Sequence, residues 1–456
     1  MKSNQFTTRF AAGNSCQSAA HLSVGAVAGF LILAVSMAFT SSAAFGQALP
    51  AAEASPISTG FEVPLTAGTL RYGVSVSESL SWGYYSTPGA VSATNLTGDV
   101  GYISGSLRNP FSMVFTGGHS WSTSTEPSYT YLDLALSQVL NAGRWNFVLS
   151  DSVSYLPGTS IGTLSGVPGA GDVGIQVGTS TGQGVLTNFS TRIYNDASAT
   201  VARQLTGKTS LNASGTYDFL HFLNNSTNSG NSGLDSYSAI GSGGINHELS
   251  PRTSFAGNYT YSRTEFSGQN YGVAVSTISS QIASGQVSRH VTRQLSLTAS
   301  AGPEWTTVSS STQFTTLGVF ANISAGYTGQ FSESSLNYSR GTNSGYGVIG
   351  GSTSDSVTFT SARNLGRVWH AGVTAAFTRT ANLPLPGTPS YILHTIIGTG
   401  QISRALARSF SVYASYTAEN QTSAGGATTI DVFNGLSQVV GFGLTYSPTA
   451  IHVGHQ

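Results

Sequence analysis

The sequence predicts an all-β protein, a transmembrane antiparallel up-and-down β-barrel of about 18 strands, and three observations support this class. Only 8% of the 456 residues are charged, apolar and small polar residues alternate with a period of two, and short turns alternate with longer connectors. Soluble domains usually carry about 25% charged residues. The low charge therefore argues against a cytoplasmic globule, and the balance of 18 basic against 18 acidic residues argues against a nucleic-acid-binding protein.

Residues 1–46 have the features of a secretory signal peptide. Residues 22–39 are apolar and small, no acidic residue precedes them, and Ala44-Phe45-Gly46 suits cleavage after small residues. An uncleaved anchor helix is the alternative, because about eighteen apolar residues can span a bilayer. Cys16 is the only cysteine and lies in this segment, so we expect neither disulfides nor thiolate metal sites in the exported chain.

The alternation is clearest in residues 70–85, where seven of the eight even positions are apolar and six of the eight odd positions are Gly or Ser. Successive side chains of a strand face opposite sides, so one face is apolar and the other small and polar. The pattern recurs at residues 111–116, 132–137, 317–327, 410–416 and 440–446. A soluble β-sandwich or β-helix would have shorter strands with Lys and Glu on the outer face. Lipid cannot satisfy backbone N–H and C=O groups, which favours a closed barrel.

Eight short turns and nine longer loops predict eighteen strands, with sixteen as the alternative because strands 10 and 13 have weak patterns. The turns are predicted at residues 107–110, 141–144, 203–210, 247–254, 291–295, 331–334, 363–367 and 404–408. Short turns are typical of the periplasmic end of a barrel and long loops of the extracellular end. We therefore expect a flexible lead-in at residues 47–69, the barrel at 70–446 and a tail at 447–456.

Near the end of the chain, Val439-x-Gly441-x-x-Leu444-x-Tyr446 resembles the terminal strand signal that the outer-membrane barrel assembly machinery reads. Residues 70–446 as a whole resemble bacterial outer-membrane β-barrel proteins of the porin-like kind, including those associated with exopolysaccharide and exosortase (PEP-CTERM) systems. The resemblance rests on the alternation, on turns of the type at residues 203–210, and on Tyr446. It implies an outer-membrane location with lipid and the assembly machinery as partners, and it transfers no site residue.

A barrel of this strand number encloses an aqueous lumen. Its inward faces are expected to carry mainly Ser, Thr, Asn, Gly and Tyr, with few charges. The charges expected to face the lumen are Arg71, Asp133, Asp196, Arg263, Glu265, Arg340 and Arg379. Ion-selective pores use rings of charged side chains. We therefore expect a channel for neutral hydrophilic solutes, saccharides or exopolysaccharide among them, with no enzymatic activity and no cofactor.

Two alternatives remain open from sequence. The barrel could be a structural or surface-interaction protein whose lumen is plugged by the loop at residues 157–187. It could also be an outer-membrane hydrolase, for which His221 near Asp218 is the best candidate pair. The oligomeric state has no sequence signal.

Glu78 is the one residue that breaks the apolar face of the first strand. By its phase this carboxylate faces lipid, where a charge costs free energy. We expect a local β-bulge to turn it inward. A subunit contact on the outer face is the alternative.

Overall fold

The computed structural model describes residues 68–83, 90–106, 108–122, 128–156, 192–223, 235–267, 277–309, 313–343, 351–383, 390–425 and 434–453. These residues form nineteen β-strands and no helix. In this part of the chain there is consequently no helix long and apolar enough to cross a membrane, a finding that does not bear on crossing by strands. The predicted signal peptide, most of the lead-in and the 157–187 loop lie outside the described residues.

The strands are long, with twelve to sixteen residues in each of the first eighteen. Their bounds are β1 Gly68–Trp82, β2 Val91–Ile103, β3 Phe111–Ser122, β4 Tyr129–Ala142, β5 Trp145–Leu156, β6 Arg192–Gln204, β7 Thr209–Phe222, β8 Asp235–Ser250, β9 Thr253–Ser267, β10 Thr277–His290, β11 Leu295–Ser309, β12 Gln313–Thr328, β13 Ser332–Asn343, β14 Ser352–Leu365, β15 Trp369–Asn382, β16 Tyr391–Ala405, β17 Phe410–Gly425, β18 Gly435–Tyr446 and β19 Ile451–Val453.

Each strand from β1 to β17 pairs antiparallel with the next one along the chain. β18 then pairs with β1, from Val74 opposite Tyr446 to Trp82 opposite Gln438, and closes the sheet. Closure gives the backbone groups of both terminal strands a partner, which an open sheet in lipid would lack. The prediction of an antiparallel barrel of about eighteen strands is confirmed, and the sixteen-strand alternative is wrong because β10 and β13 both form.

All eight predicted short turns lie between strands at one end of the barrel, which we call the short-turn end. Their geometry is tight: in the turn after β6, the Leu205 N–H donates to the Thr209 carbonyl at 2.9 Å. Gly143 and Gly366 adopt positive φ angles of 64° and 83° in the turns after β4 and β14. Glycine adopts this conformation without a steric cost. The opposite end, where the longer connectors leave the strands, is called the loop end.

The two ends of the barrel segment differ slightly from the sequence prediction. β1 begins at Gly68 rather than at residue 70. The predicted tail contains β19, whose residues pair with the start of β1, Gly68 opposite Val453 and Leu70 opposite Ile451. The pairing that closes the barrel therefore continues from β18 to β19 along β1, as far as the short-turn end.

Candidate functional site: the inward face of the barrel

The burial pattern of β1 identifies the two faces of the wall. Val74 and Val76 are 44% and 50% exposed, whereas Ser75 and Ser77 beside them are buried. Side chains alternate along a strand, and residues directly opposite in neighbouring strands share a face. The strand registers therefore extend this assignment around the barrel: large exposed apolar side chains lie outside, and hydroxyl groups lie inside.

Pairs of hydroxyl groups on adjacent strands hydrogen-bond across the inward face. They are Ser150 with Ser198 at 2.6 Å, Ser214 with Ser242 at 2.6 Å, Ser288 with Thr298 at 3.1 Å, Ser335 with Thr360 at 2.6 Å, Ser339 with Ser356 at 2.6 Å and Thr399 with Thr417 at 3.2 Å. A hydroxyl group both donates and accepts. This wall can therefore exchange hydrogen bonds with a hydrophilic solute.

Three of the seven charges expected in the lumen lie on the inward face. Arg71 shares its face with the buried serines of β1. Asp133 accepts a hydrogen bond from the Ser154 hydroxyl at 2.8 Å. Asp196 lies directly opposite Asp218 in the pairing of β6 with β7.

The other four expected lumen charges lie on the outward face, so the structure corrects these predictions. Arg263 pairs with Glu265 at 2.7 Å, and Glu265 lies opposite the exposed Tyr237. Arg340 and Arg379 lie in phase with the exposed side chains of their own strands. The prediction assumed that charged groups avoid the outer face. All four lie within five residues of the loop end of their strands, where the outer face approaches water and the cost of a charge falls.

Away from the short turns, sequence reasoning missed five inward charges. Within the described strands these are Asp99, Asp218, Glu304, Glu419 and Arg192. Each of these residues lies in phase with the inward side chains of its own strand. Since the large apolar side chains of a strand mark its outward positions, the residues that alternate with them could have been identified as inward. Away from the short turns, the described inward wall thus carries six carboxylates and two guanidinium groups, and it is more acidic than predicted.

The inward face becomes apolar and closely packed at the loop end. Ile278 of β10, Val308 of β11 and Leu383, the residue after β15, form a buried cluster, and Phe266 and Phe314 pack against it. β10 and β15 are five places apart in the sheet. The residue that follows β15 therefore reaches inward past the intervening strands and packs on β10 and β11.

The loop end of β13 leaves the wall in the same direction. Its pairing with β12 stops at Arg340, which lies opposite Ala321. Beyond that point the Thr342 N–H donates to Glu304 Oε1 of β11 at 3.1 Å, and the Thr342 hydroxyl lies 3.2 Å from that of Thr306. Residues 341–343, the inward-folded end of β13, therefore lie over the inner side of β12 and contact β11.

Glu304 holds this inward-folded end in place. Its side chain is 2% exposed, and the same oxygen that accepts the Thr342 N–H also accepts the Ser280 hydroxyl at 2.9 Å. Gly318 of β12 lies opposite Glu304 and has no side chain to obstruct the approach. Removal of one partner from a buried charged hydrogen bond is costly, so this carboxylate is a strong anchor.

Glu78 does not sit in a β-bulge, and the prediction that a bulge turns it inward is wrong. The registers of β1 with both neighbours run through this residue without a shift. Its side chain is exposed on the outward face, and the Thr94 hydroxyl donates to Glu78 Oε1 at 2.5 Å. The neighbouring hydroxyl satisfies part of the carboxylate, which removes the need for a bulge.

The catalytic pair proposed for a hydrolase is not assembled. Asp218 is inward and His221 is three residues further along β7, hence on the opposite face. His221 Nδ1 instead contacts Asp235 Oδ2 at 2.7 Å. Within the described ranges, no group of three or more His, Cys, Asp or Glu side chains could hold a metal ion.

Comparisons with known proteins found matches only among solved structures. No protein-family model and no curated protein matches the chain. Similar structures include OccK9 (OpdG) of Pseudomonas aeruginosa, with 10% identity, 86% of this chain and 100% of that chain covered, and a TM-score of 0.41. OccAB4 of Acinetobacter baumannii gives 8% identity, 85% and 99% coverage, and a TM-score of 0.43. OpdK of Pseudomonas aeruginosa, solved with vanillate, has 11% identity and a TM-score of 0.40, with 84% of this chain and 99% of that chain covered.

Proposed function

We propose that this protein is an outer-membrane channel for hydrophilic solutes that admits neutral molecules, favours cations over anions, and is narrowed at the loop end. The observation that carries the proposal is the inward face itself, which combines paired hydroxyl groups with an excess of carboxylates. An apolar outer face requires lipid around the closed sheet, and in bacteria closed barrels of this type belong to the outer membrane.

The hydroxyl pairs support passage of neutral solutes. A hydroxylated solute such as a saccharide loses hydrogen bonds to water when it enters the lumen, and groups like Ser150 and Ser198 can replace them. Saccharides remain the solute class that this chemistry favours.

The carboxylates support discrimination against anions. Asp133, Asp196 and Asp218 lie on neighbouring stretches of the wall from β4 to β7. A lumen lined by one sign of charge raises the local concentration of the opposite ion. This acidity is a change from the weakly selective wall expected from the sequence.

A closed barrel without transport is the second candidate, because a specific feature favours it. The apolar cluster around Val308 and the inward-folded end of β13 occupy the lumen at the loop end. If they seal it, the barrel can only present its loops and outer surface.

Reconstitution into planar bilayers tests both candidates. The channel proposal expects discrete conductance steps and, in a salt gradient, a reversal potential of the sign for cation preference. An Asp196→Asn/Asp218→Asn double variant should reduce the cation-to-anion permeability ratio by a factor of about two. The matched control is Arg263→Gln/Glu265→Gln, which changes charges on the outward face and should leave the ratio unchanged.

The absence of both conductance and liposome swelling in neutral sugars, with protein that shows heat-modifiable migration on a denaturing gel, would favour the sealed barrel. Anion preference in the folded protein would contradict the role assigned to the carboxylates.

A further inference from the structure

Three side chains from the two strands beside β14 converge on its Asp355. Arg340 of β13 donates through Nη1 to Asp355 Oδ1 at 3.0 Å, and the Tyr338 hydroxyl donates to the same oxygen at 3.2 Å. Arg379 of β15 donates through Nη1 to Asp355 Oδ2 at 3.3 Å. We call these four residues the Asp355 cluster. It is built across three strands, so its geometry is fixed by the sheet.

The cluster lies on the lipid-facing surface. Val357 and Phe377, two residues from Asp355 and Arg379 on the same faces of their strands, are 38% and 40% exposed. The side chains of Arg340 and Arg379 are 41% and 39% exposed, whereas that of Asp355 is only 17% exposed. The two guanidinium groups therefore cover the carboxylate and face outward.

The height of the cluster follows from β15. Trp369 begins this strand at the short-turn end, and Arg404 lies over its ring at 5.2 Å, as expected at a membrane interface. Arg379 is ten residues further along, a rise of about 33 Å along the strand. With a tilt of about 40° this gives about 25 Å of height, which is the height of the apolar band of an outer-membrane barrel. The cluster therefore lies at the opposite interface, beside the headgroups of the outer leaflet.

The charges of the cluster do not cancel. Two guanidinium groups share one carboxylate, which leaves one excess positive charge at the surface. Each guanidinium has five N–H donors, and the contact with Asp355 engages Nη1. Arginine matches phosphate oxygens in a bidentate geometry. The Arg263–Glu265 pair on the outer side of β9 differs from the Asp355 cluster, because its one guanidinium and one carboxylate leave no net charge.

We propose that the Asp355 cluster binds the phosphate group of a phosphorylated lipid in the outer leaflet, with Arg340 and Arg379 as the ligating residues and Asp355 and Tyr338 as positioning residues. This proposal and the channel proposal both require the outer-membrane location, but lipid binding does not require transport. A protein that does not conduct would therefore leave the lipid-binding proposal standing, and a protein that does not bind the lipid would leave the channel proposal standing.

Native mass spectrometry of the purified protein in detergent, with diphosphorylated lipid A added, tests the site. The wild type should retain the lipid, and enzymatically dephosphorylated lipid A should bind at least tenfold more weakly. An Arg340→Gln/Arg379→Gln variant should lose the preference for the phosphorylated form, whereas Arg340→Lys/Arg379→Lys should keep part of it. Arg263→Gln/Glu265→Gln is the matched control and should bind like the wild type.

Heat-modifiable migration of each variant shows that it folds. Equal binding of the two lipid forms by the wild type, or unchanged preference in the folded Arg340→Gln/Arg379→Gln variant, overturns the proposal. Displacement of the lipid by inorganic phosphate at the same concentration would assign the site to free phosphate and overturn the lipid as its source.

Discussion

The wall from β6 to β10 and the wall from β11 to β15 are built by the same alternation but end differently. In the first, strand pairing reaches the loop end, as shown by Arg192 opposite Phe222 and Thr277 opposite Glu265. In the second, β12 and β13 separate above Ala321 and Arg340. Regular strand pairing is therefore the default of this barrel, and the second wall departs from it for an identifiable reason.

The reason is a buried charged anchor together with apolar packing. The inward-folded end of β13 gives up its pairing with β12 and gains a hydrogen bond to Glu304, while Leu383 packs onto Ile278 and Val308. Hydrogen bonds to charged groups contribute about 1.5–3 kcal/mol each, compared with about 0.5–1.5 kcal/mol for neutral ones. One hydrogen bond to a carboxylate can therefore offset about two lost strand hydrogen bonds, and the apolar packing of Leu383 adds to it.

Disulfide trapping gives the largest expected effect on this comparison. In a Cys16→Ser background, Thr306→Cys/Thr342→Cys should crosslink nearly completely under mild oxidation, because the replaced hydroxyls are 3.2 Å apart. Val319→Cys/Thr342→Cys, which would face each other if β12 and β13 stayed paired, should not crosslink. Intact mass under non-reducing conditions measures both.

A paired site lower in the same two strands calibrates that experiment. Ser324 lies directly opposite Asn337, so Ser324→Cys/Asn337→Cys should crosslink. The reverse result, with the 319–342 pair joined and the 306–342 pair free, would show that the two walls are alike.

Replacement of the anchor gives the next largest effect. Glu304→Leu should lower the free energy of unfolding by about 2–4 kcal/mol, because the Ser280 hydroxyl and the Thr342 N–H lose their acceptor in a buried place. Release of the inward-folded end should also raise the single-channel conductance. Urea unfolding in lipid vesicles and bilayer recording measure the two effects.

Glu419 is the matched control for that variant. It is also inward and 2% exposed, but neither of its carboxylate oxygens has a hydrogen-bond partner among the described residues. Glu419→Leu should leave stability unchanged or raise it by about 1 kcal/mol, because it removes an unpaired buried carboxylate. If both variants lost equal stability, Glu304 would have no special role as an anchor.

Glu78 gives the smallest expected effect and tests the outer face of the regular part of the barrel. Glu78→Leu should raise the free energy of unfolding by about 1 kcal/mol, because it replaces an outward carboxylate near the loop end of β1 by an apolar side chain. Thr94→Val should lower it slightly, since the carboxylate then loses its donor. A large decrease in the free energy of unfolding of Glu78→Leu, seen only at high protein concentration, would favour the subunit contact instead.

The fold was predictable because lipid and backbone chemistry restrict a sequence of this pattern to one architecture. The alternation in residues 70–85 predicted the two faces of a strand, and the eight short turns with the nine longer loops predicted the number of strands and their antiparallel direction. Faces were predictable where a strand carries large apolar residues, so Asp133 and Asp196 were placed correctly on the inward face.

The outward charges and the folded-in strand end were not predictable. Polar residues occur on both faces near the loop end, so Arg340 and Arg379 gave no local sign of their direction. Glu304 and Thr342 are 38 residues apart, and only the assembled sheet brings them together. The apolar cluster likewise joins residues from β10, β11 and the end of β15, which no local period connects.

The pairing of β1 with both β18 and β19 links the earliest and latest parts of the barrel segment. The Thr445 hydroxyl donates to that of Ser75 at 3.3 Å across 370 residues of chain. One edge of β1 must therefore stay without its final neighbour until nearly all of the polypeptide has been delivered, a long-range step that loop-closure entropy makes slow. We therefore expect loss of β19, which pairs with the start of β1, to delay closure of the sheet more than it destabilises the closed barrel.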